Sequence, residues 1–244
     1  MRTICFIEAR MRSSRLPGKV LLPILGRPML DLMVERLRRA HTLDEVVIAT
    51  TDDESCDPIA DMANRIGIAY FRGSEEDVLA RVLSAARAYE ADVIVETTGD
   101  CPLHDARLID KVVSDFMLGG ADFVSNVLPY STPRGTDVRV FNTESLAEID
   151  RISDDPADRE HVSLHYMEHP EKYRRRNVLT ELGADATGFR LTVDTPEDFK
   201  LVTHVYEALY PKNPDFTLTD VLALLRACPE LADINRAIDQ KCIR

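Results

Sequence analysis

Short apolar runs separated by stretches of helical spacing constrain this chain more than any other feature of its sequence. Ile4-Cys5-Phe6-Ile7, Val46-Val47-Ile48-Ala49-Thr50, Ile68-Ala69-Tyr70-Phe71, Asp92-Val93-Ile94-Val95-Glu96-Thr97 and Asp122-Phe123-Val124-Ser125-Asn126 each read as a strand. Near-continuous runs of this length suit strands covered on both faces. Between them the apolar period changes. After a short extended piece at Val20–Ile24, Met29, Leu30, Leu32, Met33, Leu37 and Ala40 follow helical spacing behind Pro28, a residue suited to a first helical position. Further helices are expected from Asp52 to Ile66 with Gly67 as the stop, from the cap-like Ser74-Glu75-Glu76-Asp77 to about Glu90, and from about Asp105 to Leu118. This alternation predicts an α/β fold with a doubly wound, mostly parallel sheet and right-handed crossovers.

Beyond residue 126 the pattern loosens. A proline-bearing loop is expected from Leu128 to Gly135, a strand from Thr136 to Phe141 and a helix from Thr143 to Ile152. A helix from Asp158 to His169, a strand from Tyr173 to Leu179 and a last strand over Phe189–Val193 follow, then a helix to Leu209 and a C-terminal helical segment. No compositional break marks a linker, so residues 1–244 read as a single domain with a distinct subregion at about 127–180. No apolar run approaches the roughly 20 residues that span a bilayer. The N-terminus enters a strand without a signal-peptide pattern, and a cytoplasmic protein with no membrane partner is expected. The cysteines, Cys5, Cys56, Cys101, Cys228 and Cys242, lack paired spacing, which suits reduced thiols. With 30 Lys+Arg against 42 Asp+Glu the net charge is -12, which argues against nucleic acid as a partner. An anionic ligand must then be held by cations gathered locally.

One stretch gathers them. Residues 10–19, Arg10-Met11-Arg12-Ser13-Ser14-Arg15-Leu16-Pro17-Gly18-Lys19, hold four cations and no acid directly after the first strand. The carboxyl end of a strand in an open α/β sheet is where phosphate-bearing ligands bind. Gly18, Ser13 and Ser14 let backbone amides approach phosphate oxygens, with Arg10, Arg15 and Lys19 as countercharge. Asp100 closes another apolar run, between Gly99 and Pro102, and Asp194 closes the run at 189–193. Two strand-end carboxylates facing a polyphosphate make a reasonable Mg²⁺ site, since Mg²⁺ takes one or two carboxylates plus phosphate oxygens. Either aspartate could instead cap the helix behind it.

These residues match a family. Ile7–Lys19 resembles the signature of the cytidylyltransferases that make CMP-activated sugar acids, the CMP-KDO and CMP-acylneuraminate synthetases, and within them the spore coat polysaccharide biosynthesis protein F branch. Ala49-Thr50-Thr51, Phe71-Arg72-Gly73-Ser74, Asp77–Arg81, Thr98-Gly99-Asp100-Cys101-Pro102, Pro133–Val138, Arg159-Glu160-His161-Val162 and Leu191–Asp198 match in order, from Arg2 to about Leu209. The resemblance implies a nucleotide-diphospho-sugar transferase (Rossmann-like) fold and a homodimer. It implies in-line attack on the α-phosphorus of CTP with release of pyrophosphate, as a step of surface polysaccharide biosynthesis. It places Arg10 and Lys19 on the triphosphate with Arg15 as a third contact, and assigns catalysis to Arg10, Lys19 and Asp100. Asp100 and Asp194 become the Mg²⁺ ligands; Arg81 and Thr98 fall near the nucleotide, and backbone at Ala9 reads the cytosine. Two positions depart from the branch: Glu8 stands in place of Gln, and Arg12 in place of Gly. An acid beside the base could hydrogen-bond the cytosine amino group or repel phosphate.

For an acidic sugar acceptor, Arg134, Arg139, Arg159 and the cluster Lys172, Arg174, Arg175, Arg176 offer cations, Arg134 in its Pro-Arg-Gly loop first among them. The cluster at 172–176 reads equally as surface ion pairs. His161, His165 and His169 would share one helix face, a poor tetrahedral zinc set, and His161 is better read as an acceptor or dimer contact. Two rivals remain. A sugar-1-phosphate nucleotidyltransferase for another base would favour a Gly-rich first loop where Glu8-Ala9-Arg10 stands. A non-catalytic nucleotide-binding module would favour loss of Lys19 or Asp100, and both are present. A P-loop is disfavoured, because Arg15–Lys19 lacks the first glycine and the Ser/Thr after lysine.

Overall fold

In the computed structural model, residues 1–239 are described; Cys242 lies outside them. β1 (Thr3–Glu8) starts the central sheet and leads through the 10–19 loop to a small hairpin, β2 (Pro23–Ile24) and β3 (Arg27–Pro28), then α1 (Met29–Leu37). β4 (Glu45–Thr51), α2 (Asp57–Ile66), β5 (Ala69–Gly73), α3 (Val78–Ala88), β6 (Val93–Thr98), α4 (Ala106–Met117) and β7 (Phe123–Ser125) follow in the expected alternation. Local signals set the helix ends. Gly67 closes α2 in the left-handed region, and the Asp77 carboxylate opens α3 by accepting from the Ala80 amide. The second half adds β8 (Arg139–Asn142), α5 (Thr143–Ile152), α6 (Pro156–Glu160), α7 (Leu164–Glu168), β9 (Arg175–Asn177), α8 (Pro196–Leu209), α9 (Leu218–Ala227) and α10 (Pro229–Ala232).

The seven strands run in the order β5-β4-β1-β6-β8-β7-β9. β1 lies parallel between β4 and β6, and both of its faces are covered. Cys5 and Ile7 enter one core, shared with α1, α2, α4, α8 and α9; Ile4 and Phe6 enter the other, under α3 and α5. Strand parity therefore sends Glu8 to the α3 side with Phe6, and Glu96 to the same side with Ile94. No helix among the described residues is long and apolar enough to cross a membrane.

The sheet is mostly parallel as expected, with β8 its antiparallel member between β6 and β7. The β7–β8 connection contains no helix, and an antiparallel return needs none. Two expectations need correction. The helix expected over 158–169 is two short helices, broken at His161, whose backbone leaves the helical region. Buried Asp158 ties the two pieces, accepting from Ser153 Oγ at 2.5 Å and pairing with His165 Nδ1 at 2.8 Å. Finally, Phe189–Val193 is extended but joins no sheet; it makes one parallel bridge, Arg134 to Arg190. Its partners are loops. Leu191 N donates to Arg134 O at 2.7 Å and Val193 N to Asp100 O at 2.7 Å. This crossing depends on Gly135 at φ +92°, where a Cβ would lie 2.3 Å from Thr192 N.

Candidate active site

At the carboxyl edge of β1 and β6 the 10–19 loop turns back on itself. Met11 O accepts from Ser13 N and from Gly18 N, and Gly18 takes φ +70° to aim Lys19 inward. Lys19 then projects beneath the loop, 9% exposed. Its ammonium donates to Asp100 Oδ2 at 3.0 Å, Asp194 Oδ1 at 2.9 Å and Val193 O at 2.7 Å, which uses all three of its protons. Burial disfavours the charged form of Lys19, but Asp100 and Asp194 outweigh it and hold its pKa above the ordinary value. Burial likewise works against the Asp100 carboxylate. Lys19 and the Thr98 hydroxyl, which donates to Oδ1 at 2.6 Å, together hold Asp100 below the usual carboxylate range. Asp194 Oδ2 faces Arg15 at 3.0 Å and Arg190 at 2.7 Å.

Neither aspartate caps a helix. Thr195 caps α8 in a box with Asp198, and Asp105 caps α4. Both carboxylates are thus left to the cleft, which measures about 860 Å³ and is lined from the loop, the end of β6, the 134–139 segment and the α6–α7 turn. The other loop cations differ in their engagement. Arg12 reaches across to Asp53 at 3.0 Å and Glu75 at 3.4 Å. Arg10 is exposed and makes no ion pair among the described residues, and the amides of Ser14 and Arg15 have no partner there either.

Glu8 closes the cleft floor. Burial, reinforced by the neighbouring Glu96 carboxylate, pushes its carboxyl up to about 8 against the pull of Arg81 and Arg139, so it is mostly protonated at pH 7. A protonated Glu can donate one hydrogen bond as well as accept, which an ionised one cannot. Arg81, whose Nη1 donates to Ser74 O, stands over it, lowered in pKa by burial. The linkage has a definite sign. Between the ordinary value of 4.5 and about 8 an unfolded chain releases this proton and the folded one keeps it, so Glu8 makes stability fall as pH rises through that window. Glu8→Gln is expected to be the more stable protein, by on the order of a few kcal/mol near pH 8 and by little at pH 4. Thermal unfolding across this range checks it, and a pH-independent difference would mean that Glu8 ionises freely.

On the far side of the cleft the structure brings Arg134 and His161 to the wall. The Arg134 guanidinium lies 4.8 Å over the Tyr130 ring. Arg159 is not brought there; it pairs with Asp77 and, at 2.9 Å, with Asp150, joining α6 to α3 and α5. Arg174 and Arg176 are taken up by Asp122 and Asp115, which is the surface ion-pair reading of that cluster. Of the expected histidine face, His165 and His169 do meet, with ring centroids 4.2 Å apart, while His161 lines the cleft; His165 is buried on Asp158 and His169 sits 3.0 Å from Glu171. No group of three or more His, Cys, Asp or Glu residues suited to a metal is present among the described residues. Sequence reasoning missed Arg190 and the buried Glu96. Its one signal for Glu96 was an acid inside an apolar strand run.

Comparison with known proteins places this geometry. The cytidylyltransferase family profile matches residues 4–226. Spore coat polysaccharide biosynthesis protein SpsF of Bacillus subtilis is 34% identical over 97% of this chain and 100% of its own length. The solved structure of a cytidylyltransferase from Leptospira borgpetersenii superposes with a TM-score of 0.91 at 31% identity, covering 99% of this chain and 100% of that one. A CMP:2-keto-3-deoxy-manno-octonic acid synthetase complexed with CTP superposes with a TM-score of 0.66 over 85% of this chain and 99% of that one; at 20% identity the likeness is one of fold.

Proposed function

This chain belongs to the cytidylyltransferase family, and we propose that it transfers the cytidylyl group of CTP to an acidic sugar, releasing pyrophosphate. The observation that carries this reading is the convergence of Lys19, Asp100 and Asp194 beneath a cationic loop at one end of the sheet. The triphosphate lies along the loop, with Arg10 and the free amides of Ser14 and Arg15 neutralising its oxygens. Lys19 and Arg15 trade carboxylate partners for phosphate oxygens and take up charge that grows on the leaving pyrophosphate. Glu8, Ala9, Arg81 and Thr98 surround the base and ribose. Arg134, stacked on Tyr130, orients the acceptor's carboxylate, with His161 on the same wall. The acceptor's nucleophilic oxygen attacks the α-phosphorus as the bond to the pyrophosphate oxygen breaks, so the protein's work is alignment and charge stabilisation. In the free protein Lys19 and the Thr98 hydroxyl hold Asp100 below the usual carboxylate range, which makes it a poor proton acceptor and suits it to keep cations in place.

The family implies Mg²⁺, and the residues fit it. Asp100 and Asp194 supply two carboxylate groups as hard-oxygen ligands, their side chains 25% and 13% exposed, with room for phosphate oxygens to complete the set. When bound there, Mg²⁺ supplies positive charge to the phosphate oxygens during transfer.

Titration with each of the four nucleoside triphosphates tests the assignment. CTP binding at least about tenfold tighter than UTP, ATP or GTP is expected, since lost hydrogen bonds at the base carry such a penalty. Equal binding of all four would contradict it and favour a nucleotidyltransferase for another base.

A further inference from the structure

The cations that meet the Asp194 carboxylate are not alike. Lys19 pairs with Oδ1, while Arg15 and Arg190 share Oδ2. Lys19 and Arg15 line the cleft, and the Arg15 side chain is 38% exposed, so both can turn to an incoming phosphate. Arg190 does not line the cleft, and its side chain is 9% exposed. It reaches Asp194 from inside the protein.

Arg190 is itself held. Its Nε donates to Asp198 Oδ1 at 3.0 Å while its Nη2 donates to Asp194 Oδ2 at 2.7 Å, so one planar fork spans the two carboxylates. Asp198 is fully buried and fixed in turn: its Oδ2 accepts from the amides of Asp194 and Thr195, each at 3.0 Å, at the cap of α8. The outer end of this chain of bonds is Asn235, past residue 226 where the family profile ends. Its Nδ2 donates to Asp198 Oδ1 at 2.7 Å and to Arg190 O at 3.0 Å, and the residue is buried. A buried network whose members satisfy one another in this way fixes one geometry.

Charge gives that geometry a consequence. When Lys19 and Arg15 turn to phosphate oxygens, Asp194 gives up both. An uncompensated carboxylate there would pull the two cations back, in competition with the phosphate. Arg190 cannot follow them, because Asp198 holds its other arm. It keeps Asp194 compensated and in place while the others move.

We infer that Arg190, braced by Asp198 and Asn235, is the positioning residue that holds Asp194 and thereby frees Lys19 and Arg15 to bind phosphate. This rests on the cytidylyltransferase reading, under which the triphosphate lies along the 10–19 loop.

Inorganic pyrophosphate, with EDTA present, probes the point without turnover. Isothermal titration of the full chain gives its affinity. Arg190→Lys keeps the charge but cannot span both carboxylates, and it should weaken pyrophosphate binding at least about tenfold. The loss should vanish in an Asp194→Asn background, where no carboxylate remains to be held: adding Arg190→Lys there should change affinity by less than about twofold. A role in fold or net field alone would persist in that background. Asn235→Leu removes both outer donors at similar volume and should give a smaller loss, about threefold, that disappears in the same way. Should Arg190→Lys not fold, the Asn235→Leu pair decides by the same comparison. Full affinity in the substituted chain, or a loss that survives Asp194→Asn, overturns the inference. Binding of pyrophosphate by the unsubstituted chain is the separate check: its absence would sink the phosphate-loop reading and the brace with it, whereas intact binding with an indifferent Arg190 would sink the brace alone.

Discussion

Lys19→Met is expected to lower kcat/KM for CTP-dependent pyrophosphate release by at least about 10³-fold, the scale on which preorganised charge at a reacting phosphate or carbonyl acts. The same substitution should cost stability. It leaves Asp100 and Asp194 facing each other without the ammonium that bridges them, and it strips the partner from Val193 O. Breaking a buried pair by removing one member typically costs 3–5 kcal/mol; with Asp100 one-quarter exposed, about 3 kcal/mol is expected. The pH dependence follows from the direction of the Asp100 shift. Its depressed pKa contributes stability above the ordinary value of 3.8, lost as pH falls through the folded value. The gap between natural and substituted chains should therefore be widest at neutral pH and should narrow below about pH 4 as Asp100 protonates. Denaturant unfolding at pH 7 and at about pH 3 measures both ends. A Lys19→Met protein with full turnover would remove the phosphate role from Lys19.

Asp100→Asn separates the carboxylate's chemistry from its packing. Asn keeps the size of Asp, and Lys19 retains Asp194 and Val193 O. The fold is expected to survive with a loss of about 1–2 kcal/mol, the cost of one charge-assisted hydrogen bond. Turnover should fall at least about 10³-fold at any Mg²⁺ concentration, since the missing negative charge cannot be replaced by more cation. Stopped or quenched assays of pyrophosphate release over a Mg²⁺ series give the readout. Near-normal release from this variant would rule out the metal-holding role.

Part of this arrangement could be read from the chain because its signals were local. A cationic loop after the first apolar run, and an aspartate closing a later one, place Lys19 and Asp100 at one edge as soon as those runs are strands of a largely parallel sheet; Asp194, whose run joins no sheet, is held there by loop contacts to Arg134 and Asp100. β1, β4 and β6, and the caps of α2 and α3, follow from residues within a few positions of each end. What could not be read depends on residues distant in sequence. The crossing of 134–136 over 190–192 turns on Gly135, whose neighbour Thr192 no local pattern identifies. Arg159 reads like a ligand-binding cation until Asp77 and Asp150 are seen to hold it. The insertion of β8 between β6 and β7 set Arg139 against Glu96, so a cation expected to serve an acid became half of an internal pair. The helix over 158–169 failed because Asp158 and His165, which would lie about two turns apart on one expected helix, instead bond across a break.

The most direct test of the account follows phosphorus. With CTP labelled at the α-phosphorus in one reaction and at the γ-phosphorus in another, and a panel of acid sugars led by 2-keto-3-deoxy-manno-octonic acid, the α-label should appear in a CMP–sugar conjugate. The γ-label should leave as pyrophosphate, and both should appear only with an acceptor present. Release of the γ-label as orthophosphate, or label transfer indifferent to the acceptor, would contradict cytidylyl transfer at this cleft.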